Sequence, residues 1–244
     1  MHEGHAPASA SLADWTPSAS IVAVGALADL RGEITAVDGQ VYLARPTADG
    51  SARTIETNAS EEQAALLVVA EVLRWVETAI AEDVPLDSVD GVIRSIAERA
   101  GIDVAHPFPF VIEGRFRDLR WHTIDGQRVE PGGGHDAHAK AGIREERAES
   151  SATLVGFYSD AHEGVFTHRG QRIHVHVVTR NPLASGHLDH VVVLAGASLR
   201  VPAVVQSLPE PEGAAATAPS ACGTPGTPPR TFPPSRALPP GSLP

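Results

Sequence analysis

The sequence is poor in cysteine, in basic residues and in long apolar runs. Its one cysteine, Cys222, has no partner in the chain, which excludes a scaffold held by internal disulfides. The 19 Lys and Arg against 30 Asp and Glu give a net charge of −11, which disfavours binding to nucleic acid or anionic membranes. No run approaches the ~18 apolar residues of a spanning helix, and the N-terminus lacks a signal-peptide pattern. We therefore predict a cytoplasmic protein that binds neither membranes nor nucleic acid.

The composition predicts one folded body with a loose segment at each end. Hydrophobic residues make up 42% of the 244 residues, which is enough to bury a core. The first residues are rich in Ala and Ser, and the C-terminal stretch is rich in Pro with few large apolar side chains. We predict a flexible N-terminus over residues 1–20, a folded body over 21–207 and a disordered tail over 208–244.

Hydrophobic periodicity predicts two helices and several strands in the body. Residues 60–83 and 88–100 carry apolar side chains at steps of three and four, which is typical of a helical stripe. Residues 33–43 predict a hairpin with its turn at Asp38-Gly39. Further strand-like runs lie at 110–124, 153–157, 172–178 and 190–194. Without a regular alternation of strand and helix, the pattern predicts a mixed α/β (α+β) fold of mostly antiparallel sheets with flanking helices.

Three histidines form the most informative pattern. Because side chains alternate along a strand, His174 and His176 are predicted to lie on one face, ~6–7 Å apart. A turn at Asn181-Pro182 and Gly186 brings His187 back on the neighbouring strand. Three imidazoles with one open position are a recurrent catalytic zinc arrangement. The spacing alone leaves two interpretations open, a metal site and a polar strand face.

Five short motifs occur in an order that resembles the α-acetolactate decarboxylase family. They are LRGE at 30–33 with VDGQVY after it, IEGRF at 112–116, TLVGF at 153–157, IHVH at 173–176 and SGHLD at 185–189. Each motif alone is short, and it is their ordered combination that carries the resemblance. The resemblance implies the mixed α/β fold of that family.

The resemblance also implies a function. It implies a metal-dependent carbon–carbon lyase that converts 2-acetolactate, or a related small-molecule 2-hydroxy-3-keto acid, to acetoin and CO₂. It implies Zn²⁺ held by His174, His176 and His187, with Glu33 as the catalytic carboxylate beside the metal. Zinc would serve as a Lewis acid toward the substrate oxygens. The family resemblance further implies a homodimer.

The sequence departs from the family at the catalytic arginine, where it has His122. Imidazole cannot make the bidentate contact that guanidinium makes with a carboxylate. Arg120 has the same strand parity, so we predict that His122 and Arg120 together face the substrate carboxylate. The departure leaves two alternatives open. One is a diverged metal-dependent hydrolase or isomerase, and the other is a non-catalytic module that binds a metal or ligand.

Overall fold

Two antiparallel β-sheets and one α-helix make up the part of the chain that the computed structural model describes, residues 8–14, 18–58, 61–128, 141–161 and 172–204. The elements are β1 (Ala10–Ser11), β2 (Ile21–Leu27), β3 (Glu33–Val37), β4 (Gln40–Pro46), β5 (Ala52–Thr57), β6 (Gln63–Glu71), β7 (Trp75–Ala79), β8 (Val84–Pro85), α1 (Leu86–Arg99), β9 (Phe108–Thr123), β10 (Ile143–Tyr158), β11 (Ile173–Arg180), β12 (Leu183–Val193) and β13 (Ser198–Pro202). No helix among these residues is long and apolar enough to cross a membrane. The predicted tail, 208–244, lies outside the described residues.

The first sheet has the strand order β1-β6-β2-β3-β4-β5. Its β3–β4 hairpin turns at Asp38 and Gly39, whose φ angles are 52° and 78°. Two consecutive positive φ angles are what a tight hairpin turn requires, so the predicted hairpin is confirmed. Part of the segment predicted to be loose also joins this sheet, because β1 pairs with β6 and the neighbouring Leu12 is buried.

The second sheet has the strand order β7-β13-β9-β10-β11-β12-β8. The long strand β9 pairs with β10 and also with β12, so the four strands β9, β10, β11 and β12 close on themselves. The strands predicted from 110–124, 153–157, 172–178 and 190–194 are confirmed as parts of β9, β10, β11 and β12. This closure brings β9 and β12 side by side, which decides where the site forms.

The two sheets pack face to face over a buried apolar layer. It contains Val22, Val24, Val37 and Tyr42 from the first sheet and Val111, Val155, Phe157 and Val178 from the second. The opposite face of the second sheet packs against α1. Removing these side chains from water is the main stabilising contribution to such a layered fold. The mostly antiparallel α+β architecture is therefore as predicted.

The second predicted helix is confirmed as α1. It begins two residues before the predicted start at 88 and ends at Arg99, with Gly101 in the left-handed region at a φ of 82°. A glycine in that conformation after the last turn is a common way to end a helix. The side chains of Val89, Ile93 and Ile96 are buried against the second sheet.

The first predicted helix, over residues 60–83, is wrong. The structure has β6 and β7 there. The run is apolar on both faces, and a continuous apolar run fits a helical stripe and a two-sided strand equally well. The pairing of β6 with β2, from Glu71 to Ala64, makes this run a strand and not a helix. As a result Leu73, predicted to lie on the helical stripe, is 80% exposed in the connection to β7.

Candidate active site

The histidines of the predicted metal site lie between the two sheets. Along β11, His174 and His176 point toward the first sheet, as Val178 does. Ile173, Val175 and Val177 point the other way, into the core that includes α1. The predicted placement of the two imidazoles on one face of a strand is therefore confirmed.

His187 reaches the same place from the neighbouring strand. It stands directly opposite His176 in the β11–β12 pairing, and His122 stands directly opposite His187 in the β12–β9 pairing. The ring centroid of His187 is 5.0 Å from that of His174 and 5.5 Å from that of His176. One ring nitrogen from each of His174, His176 and His187 lies within 4.8 Å of the others.

This arrangement fits a metal ion. Two nitrogens bound to one tetrahedral zinc lie about 3.3 Å apart, so ring shifts of about 1 Å would bring the three together. Within the described part of the chain, Nε2 of His176 is buried and makes no hydrogen bond. A buried polar atom without a hydrogen bond is costly in a native fold, and a metal ligand bond would satisfy it. Burial, with smaller contributions from His174 and His122, lowers the pKa of His176 well below its usual value, which favours the neutral ligand form.

Glu33 comes to the histidines from the facing sheet. It begins β3, it is 4% exposed, and its Oε2 lies 3.7 Å from Nε2 of His176. Its Oε1 accepts a hydrogen bond of 3.1 Å from the backbone N–H of Ile124. Burial raises the pKa of the Glu33 carboxyl to about 7, against the opposing effects of His122 and the Ile124 hydrogen bond. A carboxyl group in this environment can carry a proton close to neutral pH.

His122 is a buried member of the same group, and Asp189 orients it. Its ring centroid lies 5.1 Å from that of His187. Its Nδ1 lies 2.8 Å from Oδ1 of Asp189, which is hydrogen-bonding distance. Burial acts to lower the pKa of His122, but the Asp189 hydrogen bond and the charges of Glu33 and Asp189 raise it overall. Gly142 leaves space for the ring, since a Cβ at this position would lie 2.8 Å from Cδ2 of His122.

Two arginines, Arg120 and Arg144, lie near His122. Arg120 is on the same strand, β9, two residues before His122, and it is exposed. Its side chain makes no hydrogen bond or ion pair to the described residues. Arg144 on β10 stands directly opposite His122, and its charge acts to lower the pKa of His122. Residues directly opposite in an antiparallel pair share a face of the sheet, so Arg144 lies on the face of the site.

Sequence reasoning missed four residues of this region. They are Asp189, Arg144, Thr35 and Ser185. Asp189, Ser185 and Thr35 had a usable signal, because each lies two positions from a predicted site residue on the same strand and so shares its face. Arg144 lies at the site because it stands opposite His122 in the pairing of β9 with β10, and the local sequence does not encode that pairing.

Solved structures of other proteins share the fold of this chain. Among curated proteins none matches the chain. The structure of α-acetolactate decarboxylase from Bacillus subtilis strain 168 is similar, with a TM-score of 0.65 and 17% identity over 83% of this chain and 81% of that one. The enzyme from Bacillus subtilis subspecies spizizenii gives a TM-score of 0.61 at 16% identity, with 83% and 82% covered.

A third solved structure and a family model are also similar to this chain. A Staphylococcus aureus protein of unknown function, described as similar to α-acetolactate decarboxylase, gives a TM-score of 0.57 at 14% identity, with 80% of this chain and 78% of that one covered. At these identities the structural likeness shows a shared fold. The family model described as alpha-acetolactate decarboxylase matches residues 22–210, which is more than half of the chain. The chain therefore belongs to the α-acetolactate decarboxylase family.

Proposed function

We propose that this chain is a zinc-dependent decarboxylase that converts 2-acetolactate, or a related 2-hydroxy-3-keto acid, to acetoin and CO₂. The observation that carries the proposal is the convergence of His174, His176 and His187 beside the buried Glu33 in a chain of this family. In the reaction the bond to the carboxylate breaks and its electron pair stays on the substrate. CO₂ leaves, and one proton is added to the carbon that has lost it.

Each part of the site has a proposed role in that reaction. The three histidines would hold the ion, which would supply a Lewis acid for the substrate's hydroxyl and carbonyl oxygens. Glu33 is the acid nearest to His176 among the groups described above, so we assign it the transfer of the proton. The two packed sheets would exclude water from the side of the site behind His174 and His176, because these residues are 7% and 0% exposed.

His122 takes the place of the family's arginine, and we propose that it faces the substrate carboxylate together with Arg120. The hydrogen bond to Asp189 holds the His122 ring in place, which lowers the entropy cost of orienting the substrate. Arg144 lies opposite His122 and offers the guanidinium that position 122 lacks. In this proposal the cation beside the substrate carboxylate is Arg144 on the neighbouring strand β10, which lies on the same face of the sheet as the site.

The proposal is tested by measuring acetoin. Purified full-length protein is stripped of metal, reloaded with one equivalent of Zn²⁺ and mixed with 2-acetolactate. We expect acetoin to form well above the spontaneous rate with the zinc-loaded protein, and at the spontaneous rate with the stripped protein. Fully zinc-loaded protein that yields no acetoin from 2-acetolactate or from longer 2-hydroxy-3-keto acids would refute the decarboxylase assignment.

The second candidate is an isomerase of 2-hydroxy ketones on the same scaffold, and the His122–Asp189 pair favours it. A histidine oriented by a carboxylate is a common general acid and base, and proton transfer without loss of CO₂ needs no carboxylate clamp. The variant His122→Arg separates the two functions. A decarboxylase that merely tolerates histidine should gain activity on acetolactate, whereas an isomerase should lose activity on its hydroxy ketone and gain none.

A further inference from the structure

A chain of buried hydroxyl groups ends at Nδ1 of His176, one of the proposed metal ligands. Oγ1 of Thr35 lies 2.9 Å from Nδ1 of His176, and it lies 3.1 Å from Oγ of Ser185. The relative exposure of all three residues is 0%. The backbone N–H of Ser185 donates to Oγ1 of Thr54, at 2.9 Å, which fixes Ser185 against the first sheet. The network therefore joins β3, β5, β11 and β12 away from bulk water.

The hydrogens of this network decide which nitrogen of His176 is free for a metal. Each hydroxyl has one hydrogen to donate. When Thr35 donates to Ser185, Oγ1 of Thr35 must accept from Nδ1–H of His176, and Nε2 keeps its lone pair. When Ser185 donates to Thr35, the hydrogen of the Thr35 hydroxyl is free to donate to Nδ1, and the ring hydrogen then lies on Nε2 and prevents metal binding there. The direction of the two hydroxyl bonds thus favours one tautomer of His176 over the other.

We propose that Thr35 is a positioning residue that holds His176 as the Nδ1–H tautomer, so that Nε2 faces the metal, with Ser185 as the acceptor that sets the direction of the Thr35 hydroxyl. The inference rests on the proposed function, because it assumes that the three histidines bind a metal. It adds two residues that are not themselves proposed ligands of the metal. Hydrogen-bond partners of this kind on metal-bound histidines typically change metal affinity by 10–100-fold.

The position of Thr35 also couples two parts of the site. Thr35 and Glu33 lie two residues apart on β3 and so share a face, and both contact the His176 ring, Thr35 at Nδ1 and Glu33 toward Nε2. The imidazole is therefore held from both ends by one strand of the facing sheet. A change at Thr35 should alter metal binding without removing any ligand or any proton-transfer group.

The test measures metal affinity in the full-length chain. Metal-free protein is titrated with Zn²⁺ in competition with a chromophoric chelator, for the unmodified chain and for Thr35→Val, Thr35→Ser and Ser185→Ala. We expect Thr35→Val to weaken zinc binding by 10–100-fold and Thr35→Ser to restore it to within a few-fold. Ser185→Ala should also weaken binding, because Thr35 then has its hydrogen free to donate to Nδ1. Ser185→Ala also serves as the test if Thr35→Val does not fold.

The matched control is Thr179→Val. Thr179 is buried like Thr35, 1% exposed, but it lies on β11 of the second sheet. Its hydroxyl donates to the backbone carbonyl of Pro182, outside the histidine group. The variant Thr179→Val should lose about as much stability as Thr35→Val while keeping the zinc affinity of the unmodified chain. Loading with Co²⁺ gives a second readout, since the visible spectrum of the bound ion should change in Thr35→Val and recover in Thr35→Ser.

The outcomes separate this inference from the function on which it rests. Zinc binding by Thr35→Val within two-fold of the unmodified chain would overturn the role of Thr35 and leave the metal site standing. An equal loss of affinity in Thr179→Val would show a general effect of stability, and would likewise overturn it. No zinc binding by the unmodified chain would remove the proposed metal site itself, and the role of Thr35 with it.

Discussion

Glu33 is the residue on which the proposed chemistry depends most directly. Glu33→Gln keeps the size of the side chain and its hydrogen-bonding capacity but removes the group that carries the proton. We expect acetoin formation by the zinc-loaded variant to fall by about 10²–10⁴-fold, the usual contribution of a general acid or base. Zinc content should stay at one equivalent. The exposed Glu113 offers a matched control, and Glu113→Gln should keep full activity. Equal activity of both variants would remove Glu33 from the mechanism.

The two arginines near His122 differ in how the structure presents them to the site. Arg144 lies directly opposite His122, whereas Arg120 lies opposite His190 and Glu146. A charge-assisted hydrogen bond to the substrate carboxylate is worth about 1.5–3 kcal/mol. We therefore expect Arg144→Gln to lower kcat/KM by roughly 10–100-fold and Arg120→Gln to lower it less. Steady-state kinetics on acetolactate measure both, and two variants with unchanged kcat/KM would contradict a carboxylate-facing role for either arginine.

At the scale of residues, the sequence predicted the part of the site that lies along single strands. The alternation of His174 and His176 follows from strand geometry alone, and the turn before His187 indicated its return on the next strand. The assignment of Glu33 needed the family resemblance. The contacts of Asp189 with His122 and of Thr35 with His176 depend on how strands from different parts of the chain align. No local pattern specifies that alignment.

At the scale of elements, the region that was predicted to be a helix is the most instructive. Tertiary pairing outweighed a helical stripe in β6, because a strand that is apolar on both faces satisfies the same pattern of apolar positions. By contrast α1 carries polar residues on one side, and only a helix places its apolar residues together. The sequence thus predicts an amphipathic helix well and a two-sided strand poorly.

The pairing of β2 with β6 can be tested through two glycines. A Cβ at Gly25 would lie 2.2 Å from the backbone oxygen of Leu66, whereas a Cβ at Gly91 in α1 meets nothing within 4 Å. We expect Gly25→Ala to destabilise the fold by roughly 1–3 kcal/mol, the usual cost of overpacking. Gly91→Ala should stabilise it by about 0.4–1 kcal/mol. Denaturant unfolding measures both, and a neutral Gly25→Ala would contradict the close approach of these strands.

At the scale of the whole molecule, a metal bound by β11 and β12 should stabilise the entire fold. Zinc at a thousand times its Kd adds about 4.1 kcal/mol to the free energy of unfolding. For a chain of this size that corresponds to a rise in Tm of roughly 8–16 °C. We expect a chelator to lower the Tm by this amount and added zinc to restore it.

The control for this measurement removes one proposed ligand. His174→Ala should show a Tm that no longer responds to zinc, whereas His106→Ala should respond as the unmodified chain does. His106 is a suitable comparison because it is exposed and pairs with Asp103. An unchanged response of His174→Ala to zinc would place the metal elsewhere.

We also propose that the chain forms a homodimer, as its family resemblance implies. The structure exposes apolar side chains on and after β6, with Val69 41% and Leu73 80% exposed. Exposed apolar side chains that form a contiguous patch often mark the place where subunits meet. Light scattering after size-exclusion chromatography should give a mass of two chains, and Leu73→Glu should shift it toward one. A single-chain mass for the unmodified protein would contradict the dimer.

The division of the site between two sheets has a consequence for how the protein responds to stress. The three imidazoles belong to one sheet, while Glu33 and the hydroxyl behind His176 belong to the other. A slight separation of the two layers would leave every strand hydrogen bonded and yet pull the acid away from the ligands. The proposed activity should therefore fall under mild heat or hydrostatic pressure before circular dichroism shows any loss of β-structure.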